Sequence, residues 1–298
     1  MQISSNLLFD RSASRMSALM ATANQLQTQI ATGKKINTPS DNVAVAQQLA
    51  EFDRKDADAA AYSTNLTLSA SLLKQADSTL GAITTQLQSA AELVNQAATG
   101  TMSTANRQMI GAQLSSIVDA LVGLGNTKDL RGQPLFGSTA NVDAVIRNSD
   151  GSFTYNTANK LSEIPIGDGV SVQATETTSR IFTSSAGDTL QMLATLASTL
   201  QSGTATADDA RAAIDSLQTA SDQVSVVQAS VGARAARVDL QQGLLENAQT
   251  DRTELRSSLE DVDVTQAYTE LSKTMTILTA TQTSFSKLSQ LSLFNYLR

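Results

Sequence analysis

The chain has no histidine, no cysteine and no tryptophan, and only three prolines. Without cysteine there are no disulfides and no thiol nucleophile. Without histidine the usual zinc ligand sets are gone, as is the side chain that most often moves protons near neutral pH. No Gly-x-Ser-x-Gly elbow occurs, so a hydrolase working through Ser and Asp has nothing to activate its serine. An enzyme is therefore not expected, and neither a cofactor nor a metal. Positive charge is scarce as well: 21 Lys and Arg stand against 28 Asp and Glu, giving a net charge of -7 and a pI near 4.7. The only adjacent basic pairs are Lys34–Lys35 and Arg54–Lys55, which argues against a nucleic-acid partner, because neutralising phosphates takes clustered cations. No stretch approaches the roughly 18–20 apolar residues of a membrane span. The opening MQISSNLLFDRS carries neither the basic nor the apolar region of a secretory signal, which taken alone favours the cytoplasm.

What remains is 41% hydrophobic but only 4% aromatic, much of it alanine over a background of Ser, Thr and Gln. That composition suits close helix packing better than a large globular core. Near the start, Phe9, Met16, Ala23 and Ile30 recur every seven residues, with Leu19 and Leu26 in the companion slot. At the far end Leu271, Met275, Leu278 and Phe285 keep a similar stripe. Spacings of three and four place these side chains on one helix face, so each terminus reads as an amphipathic helix in need of a partner helix.

The first helix is expected from about Ser4 to Ala31, stopping at Gly33. In the link GKKINTPSDN that follows, Pro39 disfavours helix at Thr38, and Ser40 or Asp41 is expected to cap the next helix. From Val45 a single beat then runs through Phe52, Ala59, Leu66, Leu73, Leu80 and Leu87 to about Ala98. A helix of that length spans ~80 Å at 1.5 Å per residue, far beyond the ~10–14 residues of an ordinary one. Gly100 and Ser103 end it, and a third helix uses Ile110, Leu114, Ile117, Leu121 and Leu124 up to Gly125. Between about 126 and 185 the period changes. Asp150–Gly151 and Gly167-Asp168-Gly169 are turn signals between short alternating runs, predicting hairpins at 142–155 and 164–175. Helix resumes at Asp188 and pauses at Gly203. The last long helix repeats Leu217, Val224, Val231, Val238 and Leu245, with a phase shift near Gly243, towards Leu259.

The expectation is a mainly α fold: an elongated antiparallel long-helix bundle built from both chain halves, with a small central β domain at one end. Its expected segments are 1–42 (terminal helix and link), 43–136 (first core half), 137–185 (β domain), 186–256 (second core half) and 257–298 (C-terminal helix). The polar clusters read plainly. Glu260, Asp261 and Asp263 fan around a helix axis as solvated or capping acids, and NSDG at 148–151 lacks the ligands of a calcium loop and reads as a turn. Gly33–Lys34 fails the phosphate-loop pattern.

The link GKKINTPSDN, the inner VGARAARV and the tail SLEDVDVTQAYTELSKTMTILTATQTSFSKLSQLSLFNYLR resemble the flagellin superfamily over nearly the whole chain. LGNTKDLRGQPLFGST at 124–139 and the ending SLFNYLR resemble its hook–filament junction branch more than filament flagellin. Asn42, Val43 and Pro134 depart from that branch, where Asp, Pro and an aromatic residue are usual. The resemblance implies a structural adaptor of the bacterial flagellum. It implies export without a cleaved signal through the flagellar secretion channel, assembly of terminal helices into a ring of copies, and an outward β domain. It also implies the partners: the hook-side junction protein, flagellin and an export chaperone, with neither nucleic acid nor membrane. The expected assembly interface is Met16, Leu19, Leu26, Ile30, Leu271, Met275, Leu278, Phe285, Leu288, Leu291 and Leu297. Filament flagellin or a flagellin-like surface protein is the alternative within the class. A soluble coiled-coil signalling protein is the alternative outside it, though it needs neither the β segment nor a seam running to the last residues.

Overall fold

In the computed structural model, residues 2–99, 101–137, 142–156 and 162–296 are described, without the side chains of 2–6, 8 and 288–296. The chain divides into two compact units, Ala59–Glu246 and a second made of Met1–Asp58 with Asn247–Arg298. Both long helices, α2 (Val43–Ala97) and α6 (Ala207–Glu260), contribute residues to each unit.

Within Ala59–Glu246 the helical part consists of the matching lengths of α2 and α6 with α3 (Thr104–Gly125) and α5 (Thr189–Gln201). On α2 the heptad series Ala59, Leu66, Leu73, Leu80, Leu87 and Val94 is buried throughout. A second series, Ala76, Ile83, Ala90 and Ala97, is buried with it, because α2 is covered on more than one side and needs a face wider than a single seam. Opposite it α6 buries Leu217, Val224, Val231 and Val238. The two run antiparallel: the Gln228 amide donates to Asp77, while Arg211, nearer the start of α6, reaches the Ala98 carbonyl. Gly243 does not interrupt α6.

α3 and α5 pack antiparallel and very closely. At Gly111 a Cβ would lie 2.7 Å from the Ala197 carbonyl oxygen and 2.9 Å from Leu200 Cβ, so only glycine fits. The Gln201 side chain uses the open space to donate to the Gly111 carbonyl at 3.0 Å. Ser103 caps α3 by accepting from Asn106 N–H, as its sequence position suggests; Gly100 lies outside the described residues.

Among the described residues the strands form three two-stranded antiparallel hairpins. β1 (Val145–Arg147) pairs with β2 (Phe153–Tyr155) around the Asp150–Gly151 turn. β3 (Glu163–Gly167) pairs with β4 (Val170–Gln173), with a register shift between Pro165 and Gly167. β5 (Thr183–Ser184) and β6 (Gly187–Asp188), together with the one-turn helix α4 (Thr178–Phe182), escape sequence reading, since two-residue strands and a five-residue helix carry no measurable period. These pieces are not a surface appendage. Val145, Ile166, Val172, Ala174, Ile181 and Phe182 are buried in the same apolar cluster as the helices.

Polar contacts fix the hairpins. The Asn126 amide accepts from Val145 N–H and donates to Val145 C=O, both at 2.8 Å, tying the end of α3 to β1. Tyr155 donates to Asp188 Oδ1 at 2.8 Å, and the same oxygen caps α5 through Gln191 N–H. Burial, and after it the Asp188 charge, pushes the Tyr155 hydroxyl far above its usual range. Glu176, its side chain 3% exposed, accepts from both Arg180 and Arg234 at 2.7 Å. Arg234 also donates to the Gln173 and Thr175 carbonyls, so one guanidinium joins α6 to the strand end that Glu176 follows.

Candidate functional site

In the other unit α1 (Gln2–Thr32) and α7 (Val264–Tyr296) lie side by side. They are antiparallel: Phe9 meets Phe285 edge to face, with ring centroids 5.3 Å apart, while Gly33, just past α1, is bonded to Val262, just ahead of α7. Their junction with the long helices is built from the two links. Lys35 N–H donates to the Glu260 carbonyl at 2.6 Å and Val262 N–H to the Gly33 carbonyl at 3.0 Å, while Lys34 pairs with the Glu260 carboxylate. Gly33 takes φ 71° at that crossing, a conformation that favours glycine. Asp263 starts α7 by accepting from Thr265 and Gln266 N–H. The acids Glu260, Asp261 and Asp263 are thus pairing and capping groups, and among the described residues no cluster of metal-ligating side chains occurs.

The cap of α2 differs from expectation. Asn42 Oδ1 accepts from Val45 N–H at 3.2 Å, whereas Asp41 turns back to Asn37 and Thr38 N–H. Those bonds, Thr38 first, hold the Asp41 carboxyl below its ordinary pKa. The reason is the tight turn that Pro39 forces: it brings Asp41 over the link amides and leaves the next residue at the helix start. Further along, Arg252 and Arg256 of α6 bind Asp56 and Asp53 of α2, which keeps the two antiparallel where apolar side chains are few. The Arg252 hydrogen bond lowers the Asp56 pKa against a smaller effect of burial.

The expected interface residues divide by depth. Leu26 and Leu278 are buried in the α1–α7 pair; Met16, Leu19, Ile30, Leu271 and Phe285 are half-buried; Met275 is 45% exposed. Leu297 and the side chains of Leu288 and Leu291 lie outside the described residues. Ala23, Ala267 and Thr274 complete the buried seam. It is narrow, and apolar surface remains outside it at Met20, Tyr268, Met275 and Ile277. Along α7 the Thr276, Thr279 and Thr283 hydroxyls donate to the carbonyls four residues earlier, at 2.9 Å each. Their methyls are left facing outward beside Met275 and Ala280, lining an open trough of about 720 Å³. A second groove of about 450 Å³ runs between the helices, with Arg11 and Arg15 on one wall and Ile277 on the other. Together the trough and the groove leave an exposed face on the α1–α7 pair that is apolar along α7 and cationic at Arg11 and Arg15. No described helix is long and apolar enough to cross a membrane.

Arg234, within VGARAARV, and its partner Glu176 were not singled out from the sequence. A cation inside an otherwise apolar repeat is the signal that points to them.

The family described as the bacterial flagellin N-terminal helical region matches residues 3–141, and the bacterial flagellin C-terminal helical region matches residues 214–297. The chain belongs to the flagellin superfamily and is a flagellar structural component. It is similar to flagellar hook-associated protein 3 of Salmonella typhimurium, 29% identical over 46% of this chain and 43% of that protein, so this match spans less than half of either. To flagellar hook-associated protein 3 of Escherichia coli it is 22% identical over 99% of both chains. To flagellin of Listeria monocytogenes it is 26% identical over 89% of this chain and 87% of that one. Its fold is shared with a flagellar hook-associated protein of Vibrio parahaemolyticus, at a TM-score of 0.68 and 18% identity, over 74% of this chain and 100% of that one.

Proposed function

We propose that this chain is the adaptor at the hook–filament junction of the flagellum, assembling through α1 and α7 into a ring of copies that joins the hook-side junction protein to flagellin. The reading further assigns it to the cell exterior, after export through the flagellar channel with the help of a chaperone. The observation that carries it is the end-to-end relationship with the Escherichia coli hook-associated protein, which spans the terminal helices and the small β elements together. The exposed face of α7 supports it physically. Burying Met275, Ile277 and the outward threonine methyls, at roughly 25 cal/mol per Å² of apolar surface, becomes possible only against neighbours.

Immunogold labelling of detached flagella is the test, with a band at the hook–filament boundary as the expected result. Met275→Asp places a carboxylate on the outward trough and spares the α1–α7 seam. The variant should be secreted and folded but unincorporated, with flagellin lost to the medium. Intact filaments on cells carrying only Met275→Asp would show that this face is not an assembly surface. The second reading, filament flagellin, draws on the 26% identity to the Listeria protein. It requires label along the whole filament and polymerisation of the purified chain into long fibres.

A further inference from the structure

The surface of Ala59–Glu246 carries two features of complementary character. The first is the loop at 127–135. Asp129 N–H donates to the Gln133 carbonyl at 2.7 Å, Leu135 N–H to the Thr127 carbonyl at 2.9 Å, and Gly132 N–H to the Asp129 carbonyl at 2.9 Å. The buried Asp129 carboxylate accepts from Arg131 and Gln133 N–H and from the Arg131 guanidinium, and Gln75 of α2 donates to the Lys128 carbonyl. So stiff a loop nevertheless carries at its tip Leu130, 93% exposed, between the exposed cations Lys128 and Arg131. An apolar side chain held in water by a framework that has already lost its freedom is an anchor: docking it orders nothing further.

The second is a cleft of about 520 Å³ between α5 and the first turns of α6. Met192, Leu196, Ala205 and Ala213 give it apolar walls, and its lining holds no cation. Its formal charges are Asp188, which caps the start of α5, and Asp209, in the first turn of α6 beyond the end of α5. Each spends one oxygen on local bonds, Asp188 Oδ1 on Tyr155 and Gln191, Asp209 Oδ2 on Thr206. That leaves the second oxygen of each for a visiting cation.

A leucine flanked by cations and an apolar cleft bounded by acids are complementary, and Leu130 does not occupy the cleft of its own chain. We propose that the Leu130 loop of one copy seats in the α5–α6 cleft of a second copy. This gives a heterologous, head-to-tail contact made within Ala59–Glu246, separate from the terminal seam. The inference rests on the reading that copies of this chain assemble with one another; a contact of this type closes into a ring or runs on open-ended according to its rotation. Lys128 lays its stem along a wall while its head meets an acid, and Arg131, held on Asp129, adds positive charge at the rim.

The absence of native cysteine makes the test clean. Full-length Leu130→Cys and Ala212→Cys proteins are mixed at the highest soluble concentration, oxidised and peptide-mapped. Ser225→Cys, exposed on α6 outside the cleft, replaces Ala212→Cys in the control. The expected result is at least a tenfold excess of the 130–212 product over the 130–225 product. Adding Thr195→Lys, which puts a cation into the cleft from an exposed position, should remove that excess while leaving thermal unfolding unchanged. Equal yields for the two pairs, or an excess that Thr195→Lys does not touch, would overturn the proposal. Repeating the experiment with Met275→Asp in both chains separates it from the junction reading. A cross-link that survives there stands whatever that variant does to filaments, and incorporation of Met275→Asp leaves the 130–212 contact to be judged on its own.

Discussion

Threonine is the residue that makes the outward faces of the terminal helices less polar than their composition suggests. Thr22, Thr28, Thr32, Thr269, Thr276, Thr279, Thr281 and Thr283 each donate to the carbonyl four residues back. A hydroxyl satisfied on its own helix needs nothing from a partner, so the side chain meets its neighbour as a methyl group. This was not legible in the sequence, where threonine counts as polar. Asp129 shows the opposite case, a side chain whose charge matters. Burial raises its pKa, but hydrogen bonds from Gln133 and Arg131 outweigh this and the net shift is downward. A carboxyl whose pKa falls on folding stabilises the fold above its unfolded pKa, and that contribution fades as pH drops through the carboxylate range. Asp129→Asn should therefore cost roughly 1.5–3 kcal/mol at neutral pH, the range for hydrogen bonds to charged groups. The gap to the parent chain should close below about pH 4. Urea unfolding at both pH values checks this, and parallel pH curves would mean that the carboxylate charge contributes nothing.

At the scale of elements, periodicity told most where one side chain in seven is buried. The expected Ala59–Val94 and Leu217–Val238 series are core, and the hairpins around Asp150–Gly151 and Gly167–Gly169 form where their turn residues stand. What the period could not tell is which short elements are structural. Sequence reasoning treats 140–180 as a surface insertion replaceable by a flexible linker, because the heptads lie outside it. The burial of Val145, Ile166, Val172, Ala174, Glu176 and Thr178 corrects that. Removing them would expose the apolar sides of α3 and α6 and strand Arg234 without its carboxylate. A linker replacing 140–180 should thus lower the unfolding midpoint sharply or prevent folding altogether. Shortening only the exposed turn at 148–152 to Asn-Gly should change stability by under about 1 kcal/mol, as surface turns do. Circular dichroism melts of the two variants decide it, and equal stability would return the hairpins to the role of an appendage.

For the molecule as a whole, the contrast between its units predicts where it yields. Ala59–Glu246 has a continuous apolar cluster with many side chains wholly buried, whereas the α1–α7 pair buries only a few of its described residues, two of them alanines. Local opening favours the element with the least buried apolar surface. Limited proteolysis of the dilute chain should remove roughly the first 40 and last 40 residues and leave a fragment containing 59–246. Equal resistance along the full length would contradict this order of stabilities. The division itself was only partly readable in advance: the heptads run through both units without a break, and what changes is side-chain size. The crossing of the two links carries a mechanical meaning. Main chain enters and leaves the α1–α7 pair at Gly33–Lys35 and Glu260–Val262, and those segments are hydrogen-bonded to each other. A pull on the paired terminal helices is therefore shared by two covalent strands laced together at one point, and a twist applied to one strand is passed to the other. The attachment behaves as a stitched strap and not as a single thread.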